Sequence, residues 1–317
     1  MGTSRSDSVI RVDGLRKEYG STVALDGISF SVRENEIFGL LGPNGAGKTV
    51  TVELLQGLRT PTAGSATILG RDVQTGSLAL KERVGVVPQS FHTFERLTAR
   101  ENIELMRDLH ADPAEVDTVI EQLGLDAYAD ETFQDLSGGY QRRTGIAMAL
   151  VSDPDVLFLD EPTTGLDPAA RRDTWEQIRH VADLGTTVVL TTHYMDEIEY
   201  LADRVALLVD GRLAALDSVS ALIDQYAPGV KLVVRATDGP GETDTVETAL
   251  EDAAQRTYRN DTGDLVGTFA DRQTAQDTFS TLHAADTECT IDLISAGMED
   301  VFLELAGGTL DAAGELR

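Results

Sequence analysis

Residues 37–50 read IFGLLGPNGAGKTV, and the rest of the chain can be placed around them. Ile37-Phe38-Gly39-Leu40-Leu41 is a short apolar run of the kind that forms a strand buried on both faces. Gly42-Pro43-Asn44-Gly45-Ala46-Gly47 follows, and Lys48, Thr49 and Val50 lead into an amphipathic stretch, Val52 to Leu58, that reads as a helix. The pattern is G-x-x-x-x-G-K-[ST] set between a strand and a helix, the context in which it cradles phosphate. Glycines let consecutive N–H groups turn inward around an anion, and the helix N-terminus adds positive potential. Lys48 can reach β- and γ-phosphates, and the Thr49 hydroxyl can ligate Mg²⁺. A glycine-rich turn with no ligand would not need lysine and threonine in register. The stretch therefore implies a bound nucleoside triphosphate.

Two further segments bear on that ligand. Val156-Leu157-Phe158-Leu159-Asp160-Glu161 is an apolar strand that ends in two carboxylates. Lying beside the phosphate-loop strand, it would deliver Asp160 to the Mg²⁺ side and leave Glu161 to hold an attacking water as general base. Leu136-Ser137-Gly138-Gly139-Tyr140 precedes a long helical pattern. A serine N-cap followed by glycines offers a hydroxyl and free N–H groups to an anion, although a capped helix start looks the same in isolation.

The formal net charge is −28, and Lys17, Lys48, Lys81 and Lys231 are the only lysines. The acidic residues are spread along the chain, as suits a cytoplasm of very high salt, where repulsion is screened over a few ångströms. The competing reading, an acidic face for a basic partner, would concentrate the charge. Either way, so negative a field argues against binding nucleic acid backbones. The single cysteine, Cys289, excludes an internal disulfide and fits a reducing compartment. No apolar run approaches the roughly 18 residues of a membrane span. The first residues, MGTSRSDS, lack the apolar region of a signal peptide. They match the myristoylation pattern at Gly2 and Ser6, a match loose enough to arise by chance.

Residues 1–8 read as a flexible N-terminus, and Val9 to Leu15 and Val23 to Val32 as strands around a Lys17-Glu18-Tyr19-Gly20 turn. A buried strand is expected at Val84 to Val87. Two helices, Leu97 to His110 and Pro113 to Leu123, then come with no strand between them, a helical insertion spanning about residues 90–152. Strand and helix alternate from Gln141 to Val209, which implies a mainly parallel sheet with helices on both faces, and Asp210-Gly211 signals a hairpin. A composition break at Ala227-Pro228-Gly229 separates residues 9–226 from a small α/β domain at 229–306, with a flexible tail at 307–317. The order there is βαββαβ and a last helix, ferredoxin-like if the weak third element, Arg256 to Arg259, is a strand.

With these residues in order, the chain resembles the ATP-binding subunits of ABC transporters over Val9 to Asp224. Gly42 to Thr49 resemble its Walker A motif, and Val156 to Asp160 its Walker B with catalytic Glu161. Leu136 to Gly139 are similar to the signature, which in this family contacts ATP held by the opposite subunit. The resemblance implies that Gln89 is the Q-loop glutamine touching Mg²⁺, Asp167 the D-loop aspartate and His193 the switch histidine. It also implies that Tyr19 stacks on adenine. ATP and Mg²⁺ are the implied ligands, with Thr49, Gln89 and Asp160 around the metal. Two departures stand out: Tyr140 where glutamine is commonest, and Val50 where a second hydroxyl is usual. Met298 to Leu305 resemble the closing helix of daunorubicin-resistance-type exporters. The resemblance thus implies an ATPase that homodimerises around two ATP. It would drive a separate membrane permease from the cytoplasmic face, with a coupling helix received near Phe91, Phe94 and Leu97. The rival, a soluble ABC-type ATPase acting on ribosomes or nucleic acid, is disfavoured by the single phosphate loop and the charge. A non-catalytic nucleotide sensor is disfavoured by Glu161 and His193.

Overall fold

A computed structural model describes residues 8–236, 243–259, 263–284 and 289–307. The chain forms two compact units, Met1–Val219 and Ser220–Arg317. This division falls earlier than the composition break, within a helix, Val219–Tyr226, that carried no clear sequence signal. The remainder of both expected flexible ends, residues 1–7 and 308–317, lies outside the described residues.

The first unit contains two sheets. The larger runs Arg212–Ser218, Arg204–Val209, Ile37–Leu41, Thr187–Thr192, Val156–Asp160, Val84–Val87 in spatial order. Its pairs are parallel except the first, the hairpin turned by Asp210 and Gly211 in left-handed conformations. The apolar runs explain the layout, since Ile37–Leu41, Val156–Asp160 and Thr187–Thr192 are buried at every position. Val84–Val87 is instead an edge strand, and Val86 is exposed where the sequence implied burial throughout. The smaller sheet is antiparallel, with Thr22–Arg33, Ser8–Tyr19, Ala63–Ile68 and Arg71–Asp72 in that order. Lys17 to Tyr19, expected in a turn, continue the strand, and Tyr19 pairs with Thr22 across Gly20-Ser21. Leu15, Leu25 and Phe30 of this sheet join Phe38, Leu54 and Phe158 in one core, which fastens the antiparallel sheet over the phosphate-loop helix.

The helical insertion comprises Ala99–Arg107, Val116–Gln122 and the longer Gly138–Leu150. Thr98 and Glu101 close the first of these with a reciprocal capping box. Fully buried Asn102 ties the preceding loop down: its side chain accepts from the Phe94 N–H at 3.2 Å and donates to the Thr98 carbonyl at 2.9 Å. None of the described helices is long and apolar enough to cross a membrane.

The second unit has the order βαββαβ followed by the helix Met298–Ala306, and its strands are arranged Arg256–Arg259, Leu265–Phe269, Val230–Ala236, Cys289–Ser295, all antiparallel. Arg256–Arg259 is a strand, so the topology is ferredoxin-like. Its core gathers Leu232, Leu250, Leu265 and Phe269, and a buried Lys231–Asp300 pair at 2.8 Å anchors the last helix to the sheet.

Candidate active site

The phosphate loop leaves the C-terminal end of Ile37–Leu41 and enters the helix Lys48–Leu55. Two glycines are required by geometry. A Cβ on Gly42 would lie 2.3 Å from the Leu208 carbonyl oxygen, and Gly47 has φ +100° with the Ala24 carbonyl oxygen 2.7 Å from where its Cβ would be. Ala46 is buried, whereas Asn44 and Gly45 are exposed. The helix starts and ends earlier than expected, and Leu58 falls beyond it on the surface. Thr49 is exposed in the first turn. Val50 is half-buried against the core, which accounts for an apolar residue where a hydroxyl is usual.

Lys48 is buried and donates from Nζ to the carbonyls of Gly42 at 2.6 Å and Pro43 at 3.1 Å. Burial pulls its ammonium below the ordinary lysine range, with Glu161 and Asp160 opposing. A cation folded back on its own loop, with carboxylates as its charge partners, has the chemistry to transfer to phosphate oxygens.

Asp160 and Glu161 end the strand Val156–Asp160, but that strand does not adjoin the phosphate-loop strand as expected. Thr187–Thr192 lies between them, pairing Thr192 with Leu41 and Thr191 with Asp160. Strands joined by helical crossovers need not be neighbours in the sheet. The intervening strand has its own use. The Thr191 hydroxyl donates to Asp160 Oδ1, while the Thr191 carbonyl and hydroxyl receive the Glu161 N–H at 3.1 and 3.0 Å. Glu161 has φ +45°, a conformation disfavoured for a residue with a Cβ. Its carboxylate accepts from Gln89 Nε2 at 2.8 Å and the Thr164 hydroxyl at 3.0 Å. Lys48 Nζ lies 3.9 Å away, and His193 Nδ1 3.5 Å away.

The carboxyls are pushed in opposite directions. Burial raises Asp160 above the usual carboxylate range. His193, the first cause, and then Lys48 and Thr164 hold Glu161 below it against burial. The His193 contact is too poorly aligned to be a hydrogen bond, and Nδ1 is buried without such a partner. An ionised Glu161 is what a general base requires.

Gln89 turns its amide nitrogen to Glu161, which leaves its amide oxygen as the end that could face a cation. With the Thr49 hydroxyl and Asp160 this donor set is all oxygen, which suits Mg²⁺. That ion binds through one or two carboxylates and substrate phosphates and needs no dedicated cage. No group of three or more His, Cys, Asp or Glu suited to a metal occurs among the described residues.

The remaining expected residues are not drawn into this cluster. Ser137 is the exposed N-cap of Gly138–Leu150, and its hydroxyl receives the Tyr140 N–H only at 3.5 Å. Gly138 faces Leu166, and Gly139 faces Ala170 so closely that a Cβ would sit 3.1 Å from the alanine Cβ. The Asp167 carboxylate caps the helix Pro168–Asp183, accepting from Ala169 at 2.9 Å and Ala170 at 3.0 Å. Tyr19 is 41% exposed, with Lys17 Nζ 5.0 Å and Arg59 Cζ 5.5 Å from its ring centre. Tyr140 packs on Tyr128 with Arg143 over its ring, so the unusual signature residue belongs to the packing of the helical insertion. Phe91, expected on the surface, packs edge-on against Phe133 and fills the space that Gly145 leaves; Phe94 is 61% exposed.

Sequence reasoning missed Arg142, Thr164, Thr191 and Glu197. Glu197 is wholly buried, with Oε1 accepting from the Thr163 hydroxyl at 2.7 Å and Trp175 Nε1 at 2.8 Å, while Oε2 has no well-formed hydrogen bond. Burial pushes its carboxyl up, against Thr192, Thr163, Trp175 and the charge of Arg171. The sequence carries no signal for Glu197, since a charged residue on a helix looks solvated until its partners are known.

Fold and site together define a P-loop nucleoside triphosphate hydrolase. An ABC transporter family model matches residues 25–164. The Nod factor export ATP-binding protein I of Ralstonia nicotianae is 36% identical over 318 residues, 95% of this chain and 95% of that protein. The daunorubicin resistance ATP-binding protein DrrA3 of Streptomyces coeruleorubidus is 41% identical over 215 residues, 66% of this chain and 68% of that protein. The dimeric structure of MJ0796, a bacterial ABC transporter cassette, superimposes with a TM-score of 0.59 at 25% identity, covering 66% of this chain and 98% of that one. The chain belongs to the ABC transporter ATP-binding family and is an ATP-hydrolysing transporter subunit.

Proposed function

We propose that two copies of this chain close around two ATP molecules and drive a separate membrane-embedded permease from its cytoplasmic side, in the direction of export. The observation that carries the reading is the convergence of Lys48, Gln89 and His193 on the Glu161 carboxylate at the mouth of the phosphate loop. Mg²⁺ would be held by Thr49, Asp160 and Gln89 and would neutralise charge on the β- and γ-phosphates. Lys48 and the loop amides bind and orient the phosphates. Glu161 holds the attacking water and accepts its proton, and His193 sits where charge builds on the γ-phosphoryl group. Tyr19 stacks the base. Ser137 and Gly138, exposed at a helix N-terminus, and Gly139 behind them meet the partner's ATP, with Asp167 beside them. Export follows the relatives, one named for Nod factor export and one for daunorubicin resistance. Phe94, held outward by the Asn102 clamp, gives the permease an apolar contact.

The test is affinity purification of the tagged chain from detergent-solubilised membranes. A multi-span protein should copurify, and Phe94→Glu should release it. Recovery of ribosomal proteins with no multi-span partner would overturn the reading.

A further inference from the structure

Arg142 is not among the residues that grip ATP, yet it reaches the centre of the site. It stands about a turn and a half beyond Ser137 on the helix Gly138–Leu150 and is 7% exposed. Its guanidinium donates to three carbonyls: Nη1 to Pro88 at 3.1 Å, and Nη2 to Gln89 at 3.1 Å and Glu161 at 3.2 Å. Those carbonyls belong to two different loops, one carrying the glutamine that touches the base and the other carrying the base itself. The Glu161 carbonyl also accepts from the Thr164 N–H at 3.3 Å, while its N–H is held by Thr191. The strained backbone of Glu161 is thus pinned from the sheet on one side and from the signature helix on the other. Burial pulls the guanidinium below its ordinary range, and the nearby charges of Glu197 and Asp160 oppose that. A planar fork of five donors can bridge two loops in a way that a point charge cannot.

We propose that Arg142 is a positioning residue that couples the pose of the signature helix to the pose of the Glu161 carboxylate in the same subunit. When Ser137 to Gly139 engage ATP held by the partner, the helix they begin settles, and Arg142 carries that setting to Gln89 and Glu161. A subunit's own base is then aligned only when its signature is occupied. This makes hydrolysis cooperative through a contact within one chain. The inference rests on the two-subunit reading above.

The experiment uses the full chain with Arg142→Met and Arg142→Lys. It measures equilibrium binding of a fluorescent ATP analogue, kcat, KM, the Hill coefficient for ATP and the melting temperature. Arg142→Met should lower kcat about tenfold or more, because small misplacement of a catalytic group is severe, with nucleotide affinity within about threefold. Its Hill coefficient should fall toward one. Arg142→Lys, which keeps the charge and part of the bonding, should recover an intermediate kcat; if Arg142→Met does not fold, a kcat loss in Arg142→Lys at unchanged affinity answers the same question. The Glu161→Gln/Arg142→Met double variant should still form an ATP-dependent dimer. An unchanged kcat and Hill coefficient would overturn the proposal. So would a parallel fall of affinity, kcat and melting temperature that Arg142→Lys does not relieve, which marks a purely structural role. If Glu161→Gln with Arg142 intact gives no ATP-dependent dimer, the two-subunit reading fails first, and the coupling with it.

Discussion

Glu161 is held at its N–H, its carbonyl and its carboxylate, whereas Ser137 is exposed and its hydroxyl reaches a single N–H at 3.5 Å. The proposed function assigns both to ATP hydrolysis, yet one is fully tied and the other idle. Lys48, Asp160, Glu161 and His193 are all buried, in a frame built from three parallel strands of one sheet. Ser137 and Gly138 stand at an open helix N-terminus beside Asp167, whose carboxylate caps its own helix. The contrast teaches a division of labour. On the proposed function, charge neutralisation and base catalysis would be organised within one chain, with the signature left open to a second.

The tied half gives the largest expected effect. Glu161→Gln should keep ATP binding and lower hydrolysis by about 10²–10⁴-fold, the range for a positioned general base. Single-turnover kinetics with radiolabelled ATP checks this, and a rate near wild type would remove Glu161 from the chemistry. The open half depends on two chains of charge −28 meeting, which low salt opposes. Raising KCl from about 0.1 to 2 M should lift the melting temperature by several degrees and favour the ATP-bound dimer of Glu161→Gln. Scanning calorimetry and light scattering read both, and a flat or falling trend would contradict the high-salt reading of the surface.

The smallest effect sharpens the tied half from behind. A carboxyl whose folded pKa is raised stabilises the fold below its unfolded value and loses that contribution as pH rises through the folded one. Glu197 should therefore weaken the protein as pH climbs. Glu197→Gln can keep both bonds to Oε1 while removing the buried charge. Its melting temperature should change by less than about 3 °C at pH 5 and gain on wild type toward pH 8. An equal loss at both pH values would show that the ionised form is required.

Much of this was legible in residue order. The phosphate loop, the carboxylate pair and the serine cap declare themselves because their chemistry needs fixed spacing. The βαββαβ order of the second unit came from hydrophobic periodicity, including the four-residue strand at Arg256–Arg259. Sheet order did not: helical crossovers allow Thr187–Thr192 to enter between strands that precede it in the chain. Phe91 read as exposed because its cover, Phe133 and the gap at Gly145, lies far along the sequence. Arg142 and Glu197 were invisible for a related reason, as a charged residue on a helix looks solvated until its tertiary partners are known.

The central claim, that each site needs both chains, is tested most directly in a mixed dimer. Lys48→Ala disables the phosphate loop, and Ser137→Ala removes the signature hydroxyl from the partner's ATP. Each homodimer then carries two impaired sites, whereas a heterodimer carries one intact site and one with both lesions. Tandem-tag purification of the heterodimer, followed by measurement of hydrolysis and occluded ATP, decides the matter. The account predicts one occluded ATP per heterodimer; hydrolysis stays low under the Arg142 coupling, because the base of the intact site lies in the subunit whose own signature meets no ATP, and reaches up to about half of wild type if one site can fire alone. Neither hydrolysis nor occlusion above that of the separate variants would mean that each site is complete within one chain.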